Sequence, residues 1–182
     1  VMLSYLDQLG LGPEADPDRV ADALDDVAEA CSPHRDLSIN PAKMLAIALA
    51  DATPIVWGGS VLAARAARRI AESIRRTSGR TALAGDAEHL LPVIEAAKAH
   101  SVFDDPFADG GGDLRPVLVL LADEPDADTG GEPGGDPVVR EHRGRLLAAA
   151  AERGVRVETV STDATTDVAR YASLLLTGTY AA

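Results

Sequence analysis

The sequence predicts an α/β layered domain built on a parallel sheet. Three observations carry that expectation. The runs Pro54-Ile55-Val56-Trp57 and Pro116-Val117-Leu118-Val119-Leu120-Leu121-Ala122 are unbrokenly apolar, as parallel strands covered on both faces must be. Segments with apolar residues at helical spacing alternate with them, which is the pattern of strand–helix–strand crossovers. Glycines and capping residues punctuate the joins, at Gly58-Gly59-Ser60, at Gly85-Asp86 and at Gly154.

Composition bounds the rest. The 182 residues fit one ordinary domain with a core of its own. Hydrophobic residues make up 46% and aromatic residues only 3%, so Ala, Val, Leu and Ile must build that core. A formal net charge of -12 argues against nucleic acid or an anionic membrane surface as the main partner. A phosphate ligand would need a local basic or N–H-rich pocket against this acidic exterior. The lone Cys31 cannot form an internal disulfide, and its apolar helical setting suggests a packed thiol. No signal peptide or membrane-length apolar run is present, which makes a cytoplasmic location the expectation.

Residues 3–11 read as a short helical tail closed by Gly10 and Gly12. Residues 1–15 are expected to be the lead-in from a missing preceding subdomain, and 16–182 the α/β domain, cut while still apolar at its C-terminus. Asp16-Pro17 supplies an N-cap and a first-turn proline. The helix that follows, to about Cys31, sets Val20, Leu24, Val27, Ala28 and Cys31 against a solvated face of Asp22, Asp25, Asp26 and Glu29. Asn40-Pro41 opens another helix, through Asp51, that is apolar on all sides and should be buried.

The first strand then ends in Gly58-Gly59, and Ser60 can cap the next helix, 61–77. That helix carries Ala63, Ala66, Ala67, Ile70, Ala71 and Ile74 on one face and five arginines elsewhere. The free N–H groups and dipole at its start suit an anion such as a sugar phosphate, and the glycines would let a ligand approach the backbone. Gly58, Gly59 and Ser60 are therefore the candidate ligand-binding residues. The same glycines equally suit a bare strand-to-helix connection, and the residues alone leave both readings open.

Residues 80–86 form a second short strand ending in a turn, 87–100 a helix, and 103–112 a loop. After the strand 116–122, residues 123–136 are rich in Asp, Glu, Pro and Gly without periodicity, which reads as a flexible loop. EF-hand spacing is absent there, so no metal site is expected, and no cofactor is implied. Residues 137–153 form a helix with Val139, Leu146, Leu147, Ala150 and Ala151 inward, 155–160 an edge-side strand, and 166–177 the closing helix. Ligands in such sheets bind beyond the carboxyl ends of the strands, which places Gly58 to Ser60, Gly85-Asp86 and Asp123 at one rim. A nucleotide-binding domain is disfavoured because no G-x-G-x-x-G follows a strand.

Taken in order, Asn40-Pro41-Ala42-Lys43, Pro54-Ile55-Val56-Trp57-Gly58, the arginine-bearing helix and Arg80-Thr81-Ala82-Leu83-Ala84 resemble the C-terminal half of the bifunctional phosphoglucose/phosphomannose isomerases. The strand 116–122, residues 154–160 and Ala169-Arg170-Tyr171-Ala172-Ser173-Leu174 extend the resemblance over most of the chain. It implies a sugar isomerase (SIS) domain: a three-layer αβα fold with a five-stranded parallel sheet. It also implies a preceding SIS subdomain, a homodimer, and a sugar phosphate as ligand.

The family's reaction moves a proton between C1 and C2 of a hexose 6-phosphate, using a carboxylate base and a ring-opening group. The resemblance implies the base as the Glu of an Asn-Glu-Asn-Ala-Lys segment before the second strand. Arg76-Thr77-Ser78-Gly79-Arg80 stands there, with Thr77 at the Glu position. The ring-opening His belongs to an Asn-His-Asn-Glu segment, matched here by Leu91-Pro92-Val93-Ile94. Asp86 and His89 are the nearby substitutes, although Asp86 also suits the cap of the next helix and His89 an exposed polar position. His34, His100 and His142 stand alone in charged or loop contexts. The isolated chain is accordingly expected to be inactive or very slow. It would bind a sugar phosphate or serve as a non-catalytic sensor or assembly module.

Overall fold

The computed structural model describes residues 2–13, 15–98, 115–123 and 136–182. They run in the order α1 (Met2–Gln8), α2 (Pro17–Ala30), a 3-10 turn (Leu37–Ile39), α3 (Pro41–Leu49), β1 (Ala52–Gly58), α4 (Val61–Ser78), β2 (Leu83–Ala84), α5 (Ala87–Glu95), β3 (Arg115–Ala122), α6 (Pro137–Arg153), β4 (Arg156–Ser161) and α7 (Asp167–Ala181). The described strands form one four-stranded sheet of order β2-β1-β3-β4, and every pairing is parallel. In register, Val56 sits beside Val119 and Leu121 beside Val160.

Strand periodicity divides the core into two layers. Val56, Val117, Val119, Leu121 and Val160 face one side, where they meet Leu45, Ala63, Ala66, Ala67, Ile70 and Leu174 of α3, α4 and α7. Ile55, Trp57, Leu118 and Leu120 face the other and meet Leu90, Leu91, Ile94, Leu146 and Ala150 of α5 and α6. The result is the expected three-layer αβα domain, with the two apolar runs as its central strands and, among the described residues, four strands where the resemblance implies five.

Small residues set the spacing on the first side. The buried stripe of α4 is Ala63, Ala66, Ala67, Ile70, Ala71 and Ile74, the face expected from the spacing. A Cβ at Gly178 of α7 would meet Ile70 Cδ1 at 2.4 Å, so α4 and α7 approach to a distance that only glycine permits there.

Capping follows the sequence at most helix starts. Asp16, Asn40, Ser60, Asp136 and Thr166 each accept a hydrogen bond from the first turn of the helix they precede. Gly79 and Gly154 end α4 and α6 in the left-handed region, at φ 68° and 65°. Asn40 does more than cap. It is fully buried, its Oδ1 accepts from the Lys43 N–H at 3.0 Å, and its Nδ2 donates to the Ser32 carbonyl at 2.9 Å. The Lys43 ammonium donates to the carbonyls of Pro33 and Arg35 at 2.7 and 2.8 Å. Asn40 and Lys43 thus clamp the 32–35 loop onto α3.

Several expectations need correction. The helix opened by Asn40-Pro41 is not buried all round: Ala42, Leu45, Ala48 and Leu49 face inward, while Met44 and Ile47 are 54% and 59% exposed. It lies on the outside of the α-layer, so only one stripe can reach the sheet. On α6, Leu147 and Ala151 face solvent and Ala149 is buried instead, because the inward face follows Leu146, Ala149 and Ala150. The helix expected over 87–100 ends at Glu95, and the closing helix continues to Ala181. Asp86 holds the N-cap position of α5 without a side-chain capping hydrogen bond. The loop expected over 103–112 and His100 lie outside the described residues, as does most of the acidic loop after Asp123.

Candidate functional site

The chain leaves the carboxyl end of β1 toward β2 through α4, and leaves β3 toward β4 through α6. Two neighbouring strands whose connections diverge leave a crevice between them, the position where α/β sheets bind ligands. The Gly58-Gly59-Ser60 turn stands at the end of β1, and Asp123 follows the end of β3.

Packing accounts for the two glycines. A Cβ on Gly58 would lie 2.4 Å from the Ala63 carbonyl carbon and 2.5 Å from its oxygen, so the first turn of α4 sits directly against the strand end. A Cβ on Gly59 would lie 2.2 Å from Val139 Cγ1 of α6 and 3.1 Å from the Trp57 ring. On the side where their Cβ atoms would stand, both glycines are covered by the protein's own atoms. Ser60 faces the other way. Its Oγ accepts from the Ala63 N–H at 3.0 Å and donates to the Asp123 carboxylate. By helix geometry the N–H groups of Val61 and Leu62 have no carbonyl within α4 to donate to, and both residues line the crevice.

The crevice encloses about 300 Å³ and is bounded by Ser60, Val61, Leu62, Asp123, Asp167 and Arg170. Arg170 donates from Nε to the Ala164 carbonyl at 2.9 Å, and its Nη1 is 3.7 Å from Asp167 Oδ1. One guanidinium therefore stands with two carboxylates around the start of α4. Sequence reasoning set Asp123 on this rim because it follows a strand end. It missed Asp167 and Arg170, whose approach depends on how α7 packs against α4 and β4.

The substitute carboxylate and histidine are elsewhere. Asp86 lies at the end of the edge strand β2, where its carboxylate is 3.6 Å from Arg68 Nη2 and 3.9 Å from His89 Nδ1. The Asp86 and His89 side chains are 68% and 80% exposed, and neither lines the crevice. Thr77 is in the last turn of α4, about 25 Å along the helix from Ser60 at 1.5 Å per residue. Its hydroxyl oxygen lies 2.9 Å from both the Ser73 and the Ala182 carbonyl oxygens, which share its single proton. In the 91–94 segment, Leu91 and Ile94 are buried against the sheet and Pro92 lies inside α5. His34 is exposed and His142 half-buried, each away from the crevice.

Cys31 is buried as expected, and burial pushes its thiol pKa up. Among the described residues no group of three or more His, Cys, Asp or Glu could hold a metal ion. Among the same residues, no helix is long and apolar enough to cross a membrane.

No curated protein matches the sequence. The fold is similar to a solved structure described as a glucose-6-phosphate isomerase like protein from Thermus thermophilus, with a TM-score of 0.54 and 17% sequence identity. The similarity covers 90% of this chain and 50% of that one, so the chain spans about half the length of that structure. The family model described as the bacterial phospho-glucose isomerase C-terminal SIS domain matches residues 38–182, from the 3-10 turn before α3 through α7. The chain belongs to the family of bacterial phospho-glucose isomerase C-terminal SIS domains.

Proposed function

We propose that this domain binds a hexose 6-phosphate at the crevice between the ends of β1 and β3 and does not by itself isomerise it. The observation that carries the reading is the start of α4. Val61 and Leu62, whose N–H groups have no acceptor within α4, border one concavity with the Arg170 guanidinium, beside the carboxylates of Asp123 and Asp167. Backbone N–H groups and a guanidinium are the donors a phosphate uses. Gly58 and Gly59 serve this site indirectly, by letting α4 begin close to the strand end.

The chemistry of aldose–ketose isomerisation needs a positioned base and a proton donor at the sugar carbons. The two positions that the resemblance assigns to those groups carry Thr77 and the 91–94 segment, both spent on internal packing and hydrogen bonding. Asp86 and His89 stand apart from the crevice. A cytoplasmic setting and assembly with a preceding SIS subdomain or a second copy complete the reading. The apolar side chains Leu37, Ile39, Met44 and Ile47, all exposed beside or on α3, support the assembly part.

Two assays on the same sample test the proposal. Isothermal titration with fructose 6-phosphate should give saturable binding. A coupled assay for conversion to glucose 6-phosphate or mannose 6-phosphate should give no turnover above the uncatalysed rate. Turnover abolished by Asp86→Asn would overturn the non-catalytic reading, and absence of any binding would leave the assembly module in its place.

A further inference from the structure

The crevice assigned to a sugar phosphate already holds an anion of the protein's own. Asp123 follows the end of β3 and lines the crevice, where its carboxylate accepts a hydrogen bond from the Ser60 hydroxyl. The same hydroxyl oxygen accepts from the Ala63 N–H at 3.0 Å. Through that one oxygen the carboxylate is fastened to the first turn of α4. The dipole and open N–H groups of a helix start favour a carboxylate for the same reason that they favour a phosphate.

Charge sets Asp123 apart from the other acid of the crevice. Asp167 lies 3.7 Å from Arg170 Nη1, so its charge is set against a cation. No cation among the described residues pairs with Asp123, whose hydrogen-bond partner is Ser60. With Asp123, Asp167 and Arg170 as the charged lining, the crevice is negative before any ligand enters. A phosphate monoester brings roughly -1.5 to -2 more at neutral pH. In a space of about 300 Å³, the ligand and the unpaired carboxylate cannot both hold the helix start.

We propose that Asp123 is a built-in competitor for the ligand, an autoinhibitory latch on the start of α4. The proposal rests on the reading of the crevice as a phosphate site. A phosphate enters by displacing the Asp123 carboxylate from the Ser60 hydroxyl, which frees that hydroxyl to donate to the ligand. The chain binds weakly because of its own carboxylate, and not for want of donors.

Isothermal titration of the full chain with fructose 6-phosphate tests this. Asp123→Asn removes the charge at nearly constant shape and should bind about tenfold more tightly than the parent. Asp123→Ala, which leaves the helix start uncovered, should gain at least as much. Asp86→Asn removes a charge outside the crevice and should change affinity by less than about twofold. Ser60→Ala cuts the fastening, so in that background the gain from Asp123→Asn should shrink to about threefold or less. Parent binding that Asp123→Asn leaves equal or weakens would overturn the latch, the weaker case marking Asp123 as an acceptor for a sugar hydroxyl. An equal gain from Asp86→Asn, or an undiminished gain in the Ser60→Ala background, would overturn it as a general effect of charge. Absence of binding by the parent and by every variant would overturn the phosphate reading itself, and the latch with it.

Discussion

The two ends of helix α4 differ in a way that bears on function. At its start, Ser60 satisfies one helix N–H, and Val61 and Leu62 border a crevice with Asp123, Asp167 and Arg170. At its end everything is closed. Gly79 turns the chain at φ 68°, Arg75 donates to the Ala82 carbonyl at 2.6 Å, and Thr77 spans the carbonyls of Ser73 and Ala182. The chemistry of a helix N-terminus suggests a ligand at the first end, and the resemblance to the isomerases implies a catalytic base at the second. The first end leaves the Val61 and Leu62 N–H groups without acceptors in the helix, and the second end is tied down by hydrogen bonds. Binding capacity that rests on backbone groups survives changes of side chain, whereas proton transfer does not.

The comparison breaks if the strand-to-helix turn is not held by packing. Gly58→Ala should have the largest effect, a loss of about 3 kcal/mol or more in urea unfolding, because its Cβ meets the Ala63 backbone, which cannot move without displacing α4. Asn40→Ala should remove about 2 kcal/mol, from the lost cap of α3 and the Ser32 carbonyl left without its donor. Gly59→Ala should cost less, about 1 kcal/mol, since the Val139 side chain can rotate away. Equal costs at Gly58 and Gly59 would mean that the turn shifts as a unit.

A smaller effect tests the closed side of the molecule. Burial holds the Cys31 thiol pKa above its value in the unfolded chain, so its contribution to stability is complete below the unfolded thiol pKa. As pH rises, the unfolded thiol ionises first and that contribution is lost. Unfolding midpoints of the parent should therefore fall more, as pH rises above the ordinary thiol pKa of about 8.5, than those of Cys31→Ala. Parallel curves would contradict a packed thiol. The smallest effect is expected at the substitute carboxylate. Asp86→Asn should change stability by less than about 0.5 kcal/mol, because its partners Arg68 and His89 are exposed. It should leave ligand affinity unchanged.

Much of the fold was legible from local chemistry. Unbroken apolar runs identified β1 and β3 as central strands, and alanine spacing gave the inward face of α4 residue for residue. Asp16, Asn40 and Ser60 announced their helices because capping is a local hydrogen bond. What periodicity could not give was context. Leu147 and Ala151 fit a helical stripe as well as Ala149 does, and only the position of α6 over the sheet decides among them. The same holds for α3, whose uniform apolarity does not say how much of it other elements cover. At the candidate site, Ser60 and Asp123 could be found because they follow strand ends. Asp167 and Arg170 could not, since nothing in their local sequence signals that α7 returns to the crevice.

The measurement that meets the central claim most directly is a titration of the isotopically labelled chain with fructose 6-phosphate, followed by amide chemical shifts. Shifts should concentrate at residues 60–62, at Asp123 and at 167–170, with the amides of Thr77, Asp86, His89 and 91–94 unmoved and no aldose phosphate accumulating in the sample. Shifts centred on Asp86 and His89, accompanied by conversion of the sugar phosphate, would contradict it.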